Sequence, residues 1–176
     1  IILDNPQNHQ VKDFIERYAE TDERIKFIIN RKNLGLGASL HKAIEFSKTE
    51  LIARMDADDI ALPMRLGTLT EQFKENDDLL FSRYEVIDQF GKHIRYSRHM
   101  SYTQSQIRTK LNLNNFICHP SVMFRKSSYL KAGGYSDIRV SEDIDLWIRM
   151  AKMKMQMRGI DEVLIKYRIR ANSMTT

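Results

Sequence analysis

The strongest constraint on this chain is a rhythm. Within the first 76 residues, three short apolar runs are each followed by a stretch with helical spacing. Residues 1–3 are apolar and stop at Asp4-Asn5-Pro6, a strand running into a turn. Val11, Phe14, Ile15 and Tyr18 then recur at helical spacing. Residues 25–29 form a second strand, stopped by Arg31-Lys32-Asn33, and Gly35 and Gly37 lead into a helix carrying Leu40, Ala43, Ile44 and Phe46. Residues 51–55 form a third, buried strand that delivers Asp56-Ala57-Asp58-Asp59 at its end. Pro63 reads as a first-turn proline opening a helix with Leu66, Leu69 and Phe73. Such alternation predicts an α/β fold with a largely parallel sheet and functional loops at the carboxyl ends of the strands.

After Asn76 the pattern changes. Segments 84–88 and 92–96 flank Gln89-Phe90-Gly91 as a hairpin with a short loop. A helix around 107–111, a strand at 121–125 and a break at Gly133-Gly134 follow. A helix over 142–150 places Ile144, Trp147, Ile148 and Ala151 on one side, and 155–157 and 163–167 read as two final strands. Without a repeat, linker or low-complexity tract, the 176 residues form one domain. The change of pattern divides it into residues 1–76 and 77–176. The Met150, Met153, Met155 and Met157 cluster is read as core filling.

Composition excludes some classes. Cys118 is the only cysteine, so no disulfide framework exists within the chain and a reducing, cytoplasmic setting is expected. No apolar run approaches the roughly 20 residues of a membrane span. The net charge of +5 suits an anionic ligand or lipid surface. Scattered basic residues without interleaved aromatics argue against nucleic acid.

Asp56, Asp58 and Asp59 repel one another unless something positive lies among them. A hard divalent cation shared with substrate phosphates would supply that charge. A solvated turn in which Asp59 caps the next helix is the plainer alternative. An EF-hand is excluded, because its sixth and twelfth positions counted from Asp56 hold Ala61 and Gly67. A phosphatase with a strand-end Asp-x-Asp stays open by placement, although Asp59-Ile60 lacks the flexible turn and hydroxyl it would want.

The runs Asn33-Leu34-Gly35-Leu36-Gly37-Ala38-Ser39, Arg54-Met55-Asp56-Ala57-Asp58-Asp59 and Pro63-Met64-Arg65-Leu66 resemble family 2 glycosyltransferases. So, in the same order, do His119-Pro120-Ser121, Gly133-Gly134-Tyr135 and Ser141-Glu142-Asp143-Ile144-Asp145-Leu146-Trp147. The resemblance implies a GT-A fold, a Rossmann-like α/β architecture with a mixed central sheet flanked by helices. It also implies an earlier strand, which would precede Ile1. It implies an inverting transferase that moves a sugar from a nucleotide-diphosphate donor to a hydroxyl on a glycan or lipid-linked acceptor. The expected setting is bacterial surface polysaccharide synthesis in the cytoplasm, at the inner face of the membrane.

By the same resemblance Asp58, with Asp56 beside it, holds Mn2+ or Mg2+, while Asp56 also lies near the ribose. Asp143, paired with Glu142, is the catalytic base. Asp4 accepts from the nucleotide base, and Asn33 and Gly35 lie along the nucleotide. Trp147, Tyr135 and His119 are candidates for the acceptor site, though an aromatic at helical spacing also suits a core. Arg170 stands where many members carry a His, and its planar donors suit a diphosphate. A nucleotidyltransferase-like enzyme and a non-catalytic nucleotide- or glycan-binding module of the same fold are the alternatives.

Overall fold

The computed structural model describes residues 1–138 and 140–170, which cluster into two compact units. Unit 1 comprises residues 1–48, 134–138 and 140–142, and unit 2 comprises residues 49–133 and 143–170.

In unit 1, β1 (Ile2–Leu3) pairs in parallel with β2 (Ile28–Ile29). Helix α1 (His9–Thr21) starts where the Asn8 side chain accepts from the Val11 N–H, satisfying a first-turn donor. Its periodicity predicts a buried stripe, yet only Ile15 is buried, and Val11, Phe14 and Tyr18 are exposed. Phe14 and Tyr18 pack on each other at 4.6 Å, and the Arg17 guanidinium covers both rings. Helix α2 (Leu36–Phe46) packs on β1 and buries Gly37, Ser39 and Ile44.

Unit 2 is built on a six-stranded sheet. Its strands are β3 (Leu51–Ala53), β4 (Ile60–Ala61), β5 (Leu79–Ile87), β6 (His93–Tyr96), β7 (Val122–Arg125) and β8 (Met157–Arg168). The order is β3-β7-β5-β8-β4, and β6 also pairs with β5. Strand β8 runs along the whole of β5, while β7 takes the first part of its other edge and β6 the last. The sheet is mixed, as expected, but not largely parallel. Only β5–β8 is parallel in it, and the other pairs are antiparallel. The hairpin and the return of β7 across the middle outweigh the early alternation.

The helices of unit 2 are α3 (Arg65–Gln72), α4 (Gln104–Leu111), α5 (Lys126–Lys131) and, apart from its first residue, α6 (Glu142–Lys152). Pro63 lies two residues ahead of α3 and not in its first turn; Met64 is the cap, so Asp59 caps nothing. Leu69, Leu80, Met123, Ile160 and Leu164 form a buried cluster, with Leu51, Ala53 and Phe73 against it. Met150, Met155 and Met157 are buried as expected, whereas Met153 is exposed. The two strands expected at the end are one. Its register with β5 shifts between Ser82 and Tyr84, which accommodates the polar Asp161-Glu162 pair that looked like a break. Gly159 is required by close approach: a Cβ there would lie 2.2 Å from the Met100 carbonyl oxygen. No helix among the described residues is long and apolar enough to cross a membrane.

Candidate active site

Two carboxylate stations stand out, one in each unit. In unit 1, Asp4 leaves the end of β1 and faces the loop that enters α2. Its Oδ1 accepts from the Leu34 N–H at 2.8 Å and from Asn30 Nδ2 at 2.9 Å, and its Oδ2 accepts from the Gly35 N–H at 2.9 Å. Asn33 Oδ1 accepts from the same Gly35 N–H at 3.1 Å. Gly35 has φ +84°, a left-handed value that suits glycine and brings its amide round to both acceptors. Asn30 is fully buried, donating also to Ser39 and accepting from Lys42. Burial pushes the Asp4 carboxyl up, but the N–H groups of Leu34 and Gly35 and the Asn30 and Ser39 side chains hold it below its ordinary value. The loop expected to line a nucleotide is therefore set in place by Asp4.

In unit 2, the turn after β3 carries the acidic cluster, and arginines answer it. Arg54 is buried, and its guanidinium donates to Asp56 Oδ2. Arg65, buried on α3, donates to the carbonyl oxygens of Arg54 at 2.6 Å and Pro120 at 2.8 Å. Asp59 Oδ1 accepts from the Arg168 N–H at 2.7 Å, and Arg168 Nε donates to the Asp58 carbonyl at 2.7 Å. Arg170 Nε lies 3.3 Å from Asp58 Oδ2, with both side chains exposed. The positive charge required by the sequence is thus supplied first by the chain.

Burial pushes the Asp56 carboxyl up; Arg54 opposes this, while Asp58 and Asp143 add to the rise. Asp143, far along the chain on α6, therefore lies in the electrostatic reach of the acidic turn. Burial also pushes Asp59 up to about 6. Asp59 Oδ2, Arg54 Nε and Arg65 Nε are buried without hydrogen-bond partners. Buried polar atoms without a partner call for an explanation, such as an ordered water, an ion or a ligand.

Asp143 Oδ2 accepts from Asn115 Nδ2 at 2.7 Å, which orients the carboxyl and leaves its other oxygen for a ligand. Ser141, two residues earlier, holds a left-handed φ of +64°, a strained value at the entry of α6. Glu142 is buried.

The acceptor-site candidates fare differently. Trp147 is 0% exposed and offers no face to a sugar, so it is core and not a floor. It packs on Phe124 and meets the His119 ring edge-on at 6.0 Å. Burial, and then Arg54, push the His119 imidazole well below its ordinary value, so it is neutral. Tyr135 is buried at 9% exposure. Burial raises the Cys118 thiol, which stays protonated. Ala171, Asn172 and Ser173, beside Arg170 in the sequence, lie outside the described residues.

Among the described residues, no three His, Cys, Asp or Glu side chains are grouped to hold a metal ion. A magnesium-like cation needs only one or two carboxylates when substrate phosphates complete its shell. The exposed Asp58 carboxylate suits that task, so the residues fit a cation shared with a diphosphate and not a protein-only cage.

The residues that pattern reading missed are Asn30, Arg54, Arg65, Asn115 and Arg168. One signal was available. Arg54 sits inside the apolar run 51–55, and a charge there must find a partner.

Known proteins resemble this arrangement along nearly its whole length. Residues 1–133 match the model of glycosyl transferase family 2. The chain is 41% identical over 175 residues to the uncharacterized glycosyltransferase MJ1057 of Methanocaldococcus jannaschii, covering 96% of this chain and 59% of that protein. It is 31% identical over 177 residues to the O-antigen biosynthesis glycosyltransferase WbnJ of Escherichia coli, covering 98% and 68%. It is 29% identical over 170 residues to the amylovoran biosynthesis glycosyltransferase AmsE of Erwinia amylovora, covering 96% and 63%. The chain thus spans 59–68% of these relatives' lengths. The crystal structure of S. aureus TarS 1-349 matches its fold with a TM-score of 0.73 at 16% identity, over 95% of this chain and 50% of that one.

Proposed function

The chain belongs to glycosyltransferase family 2 and has the GT-A fold, and from that premise we propose that it transfers a sugar, with inversion, from a nucleotide-diphosphate donor to a hydroxyl of a surface polysaccharide under construction. The named relatives in O-antigen and amylovoran biosynthesis support the acceptor class. The observation that carries the reading is Asp143: an oriented carboxylate, half open, within electrostatic reach of the strand-end acids.

In this proposal the loop at Asn33 and Gly35 lies along the nucleotide, with Asp4 fixing its shape and offering its remaining lone pairs to the base. Asp56 and Asp58 serve the diphosphate end. A divalent cation held by Asp58 and the phosphates would neutralise charge that develops on the leaving oxygens. Arg170 rests on Asp58 and is exposed, and its guanidinium would make charge-assisted bonds to a diphosphate bound there. Asp143 takes the proton of the acceptor hydroxyl as that oxygen attacks the anomeric carbon from the face opposite the leaving diphosphate. Asn115 keeps the carboxylate pointed during that step. Family membership favours sugar transfer over the nucleotidyltransferase alternative.

The test is a screen of nucleotide sugars for binding and turnover, with and without manganese, in wild type and Asp58→Asn. Calorimetry should show manganese-dependent nucleoside diphosphate affinity that the variant loses while its circular dichroism is unchanged. Retained affinity in Asp58→Asn would remove that residue from the site. Binding without turnover for every sugar would favour the non-catalytic module.

A further inference from the structure

The β5–β6 hairpin has an exposed apolar tip that the fold does not use. Phe90 is 85% exposed, and Ile94 and Tyr96 on β6 are 46% and 55% exposed. The tip is firmly built. Asp88 Oδ1 accepts from the Phe90 and Lys92 N–H groups, both at 2.9 Å, and Gly91, at φ +88°, donates to the Asp88 carbonyl at 3.0 Å. Arg168 braces it from behind, donating to the Asp88 and Gln89 carbonyls at 3.1 and 3.2 Å. Phe90 is therefore held outward by a hydrogen-bonded turn.

Residues 89–99 contain Lys92, Arg95 and Arg98, together with His93 and His99, and no acid. The nearby acids are engaged. Glu85 meets His93 and Lys166, Asp88 is folded into the turn, and Asp161 meets His99, Ser101 and the Met100 N–H. Charges along an edge strand often serve only to block pairing with another sheet. That reason does not account for three exposed apolar side chains among them. Aromatic and aliphatic groups interleaved with lysine and arginine are what an anionic lipid interface binds.

We propose that this hairpin is a docking surface for an anionic membrane, with Phe90 entering among the headgroups and Lys92, Arg95 and Arg98 meeting lipid phosphates. The same Arg168 side chain that braces the tip also holds the Asp58 carbonyl. A docked hairpin would thus fix the acidic turn at the lipid surface, where a lipid-linked acceptor is presented. Only that purpose rests on the transferase reading; the docking itself does not.

The experiment is co-sedimentation of the full chain with vesicles of phosphatidylcholine, with and without an equal part of phosphatidylglycerol. Wild type should bind the anionic vesicles and be released by salt. Lys92→Gln with Arg98→Gln should weaken partitioning by about fivefold per cation, the fold-change that corresponds to ~1 kcal/mol for each. Phe90→Ala should weaken it further, and in Phe90→Trp the added emission should shift to the blue on the vesicles. Lys48→Gln with Lys152→Gln removes the same charge elsewhere on the surface and should cost clearly less. Equal loss from both charge pairs, or no preference for anionic vesicles, overturns the proposal. So does a wild-type dimer, seen by light scattering, that Phe90→Ala dissolves, because the face would then join two copies. None of these readouts depends on sugar transfer.

Discussion

Asp4 and the Asp56–Asp59 turn both follow the end of a short strand, yet they are stabilised in opposite ways. Asp4 is surrounded by neutral donors, two backbone N–H groups and two side chains, and its carboxyl is held below its ordinary value. The acidic turn is answered by full charges, and burial raises Asp56 and Asp59. Neutral donors satisfy the Asp4 oxygens without a counter-ion. A cluster balanced by charges can rebalance when another charged group arrives, as the proposed diphosphate site would require.

The largest effect expected to sharpen this contrast comes from Asp143→Asn. It should leave donor binding nearly unchanged and slow transfer by about 10²- to 10⁴-fold, the range for loss of a general base. Full activity would move the base elsewhere, with Glu142 and Asp145 next to examine.

Arg54→Met comes next, leaving Asp56 without its counter-ion. Denaturant unfolding should show a loss of about 3 kcal/mol, the low end for breaking a buried pair because Asp56 is 31% exposed. Asp4→Ala should cost about 2 kcal/mol, since donors to a charged group lose their acceptor at a partly solvated site. If Asp4→Ala proved the more damaging to stability, the neutral station would be the more critical of the two.

Asp59 tests the contrast through pH. Its folded value of about 6 lies above the unfolded carboxylate range, so the folded state binds the extra proton. Its contribution to stability is therefore fullest below about pH 4, falls as pH rises through 6, and is flat beyond. Asp59→Asn should remove that part of the stability–pH curve, whereas Asp4→Asn should remove a slope of the opposite sign at lower pH. The smallest effect belongs to Arg170→Ala. An exposed pair is worth under about 1 kcal/mol, so the melting temperature should hardly move. Nucleoside diphosphate affinity should fall by ~1.5 kcal/mol, the low end for a hydrogen bond to a charged group.

Apolar periodicity located β1, α2, β3 and α6 because their inner faces are continuous in sequence. It failed at β4, whose Ile60 and Ala61 are exposed and carry no alternation, and at α5, which starts directly at the end of β7. It misjudged α1 because spacing identifies a stripe without saying what covers it. It also could not decide whether Trp147 faces a ligand or the core; packing against Phe124 and His119 decided that. The acids of the site were legible from their grouping at a strand end. Their arginine partners were legible only in part: Arg170 stood out through the resemblance, whereas Arg168 reaches Asp59 across 109 positions and reveals its role only once the sheet forms.

The bond from the Arg168 N–H to Asp59 joins residues 109 positions apart. Contacts of such long sequence separation close late, because the intervening chain must be ordered before they form. During synthesis, β3 and the acids after it leave the ribosome well before β8 exists. A nascent chain therefore carries Asp59 without its Arg168 partner until β8 is made, while Asp56 already has Arg54 two residues away. A chain that has not yet made β8 thus lacks both Arg168 contacts to the acidic turn.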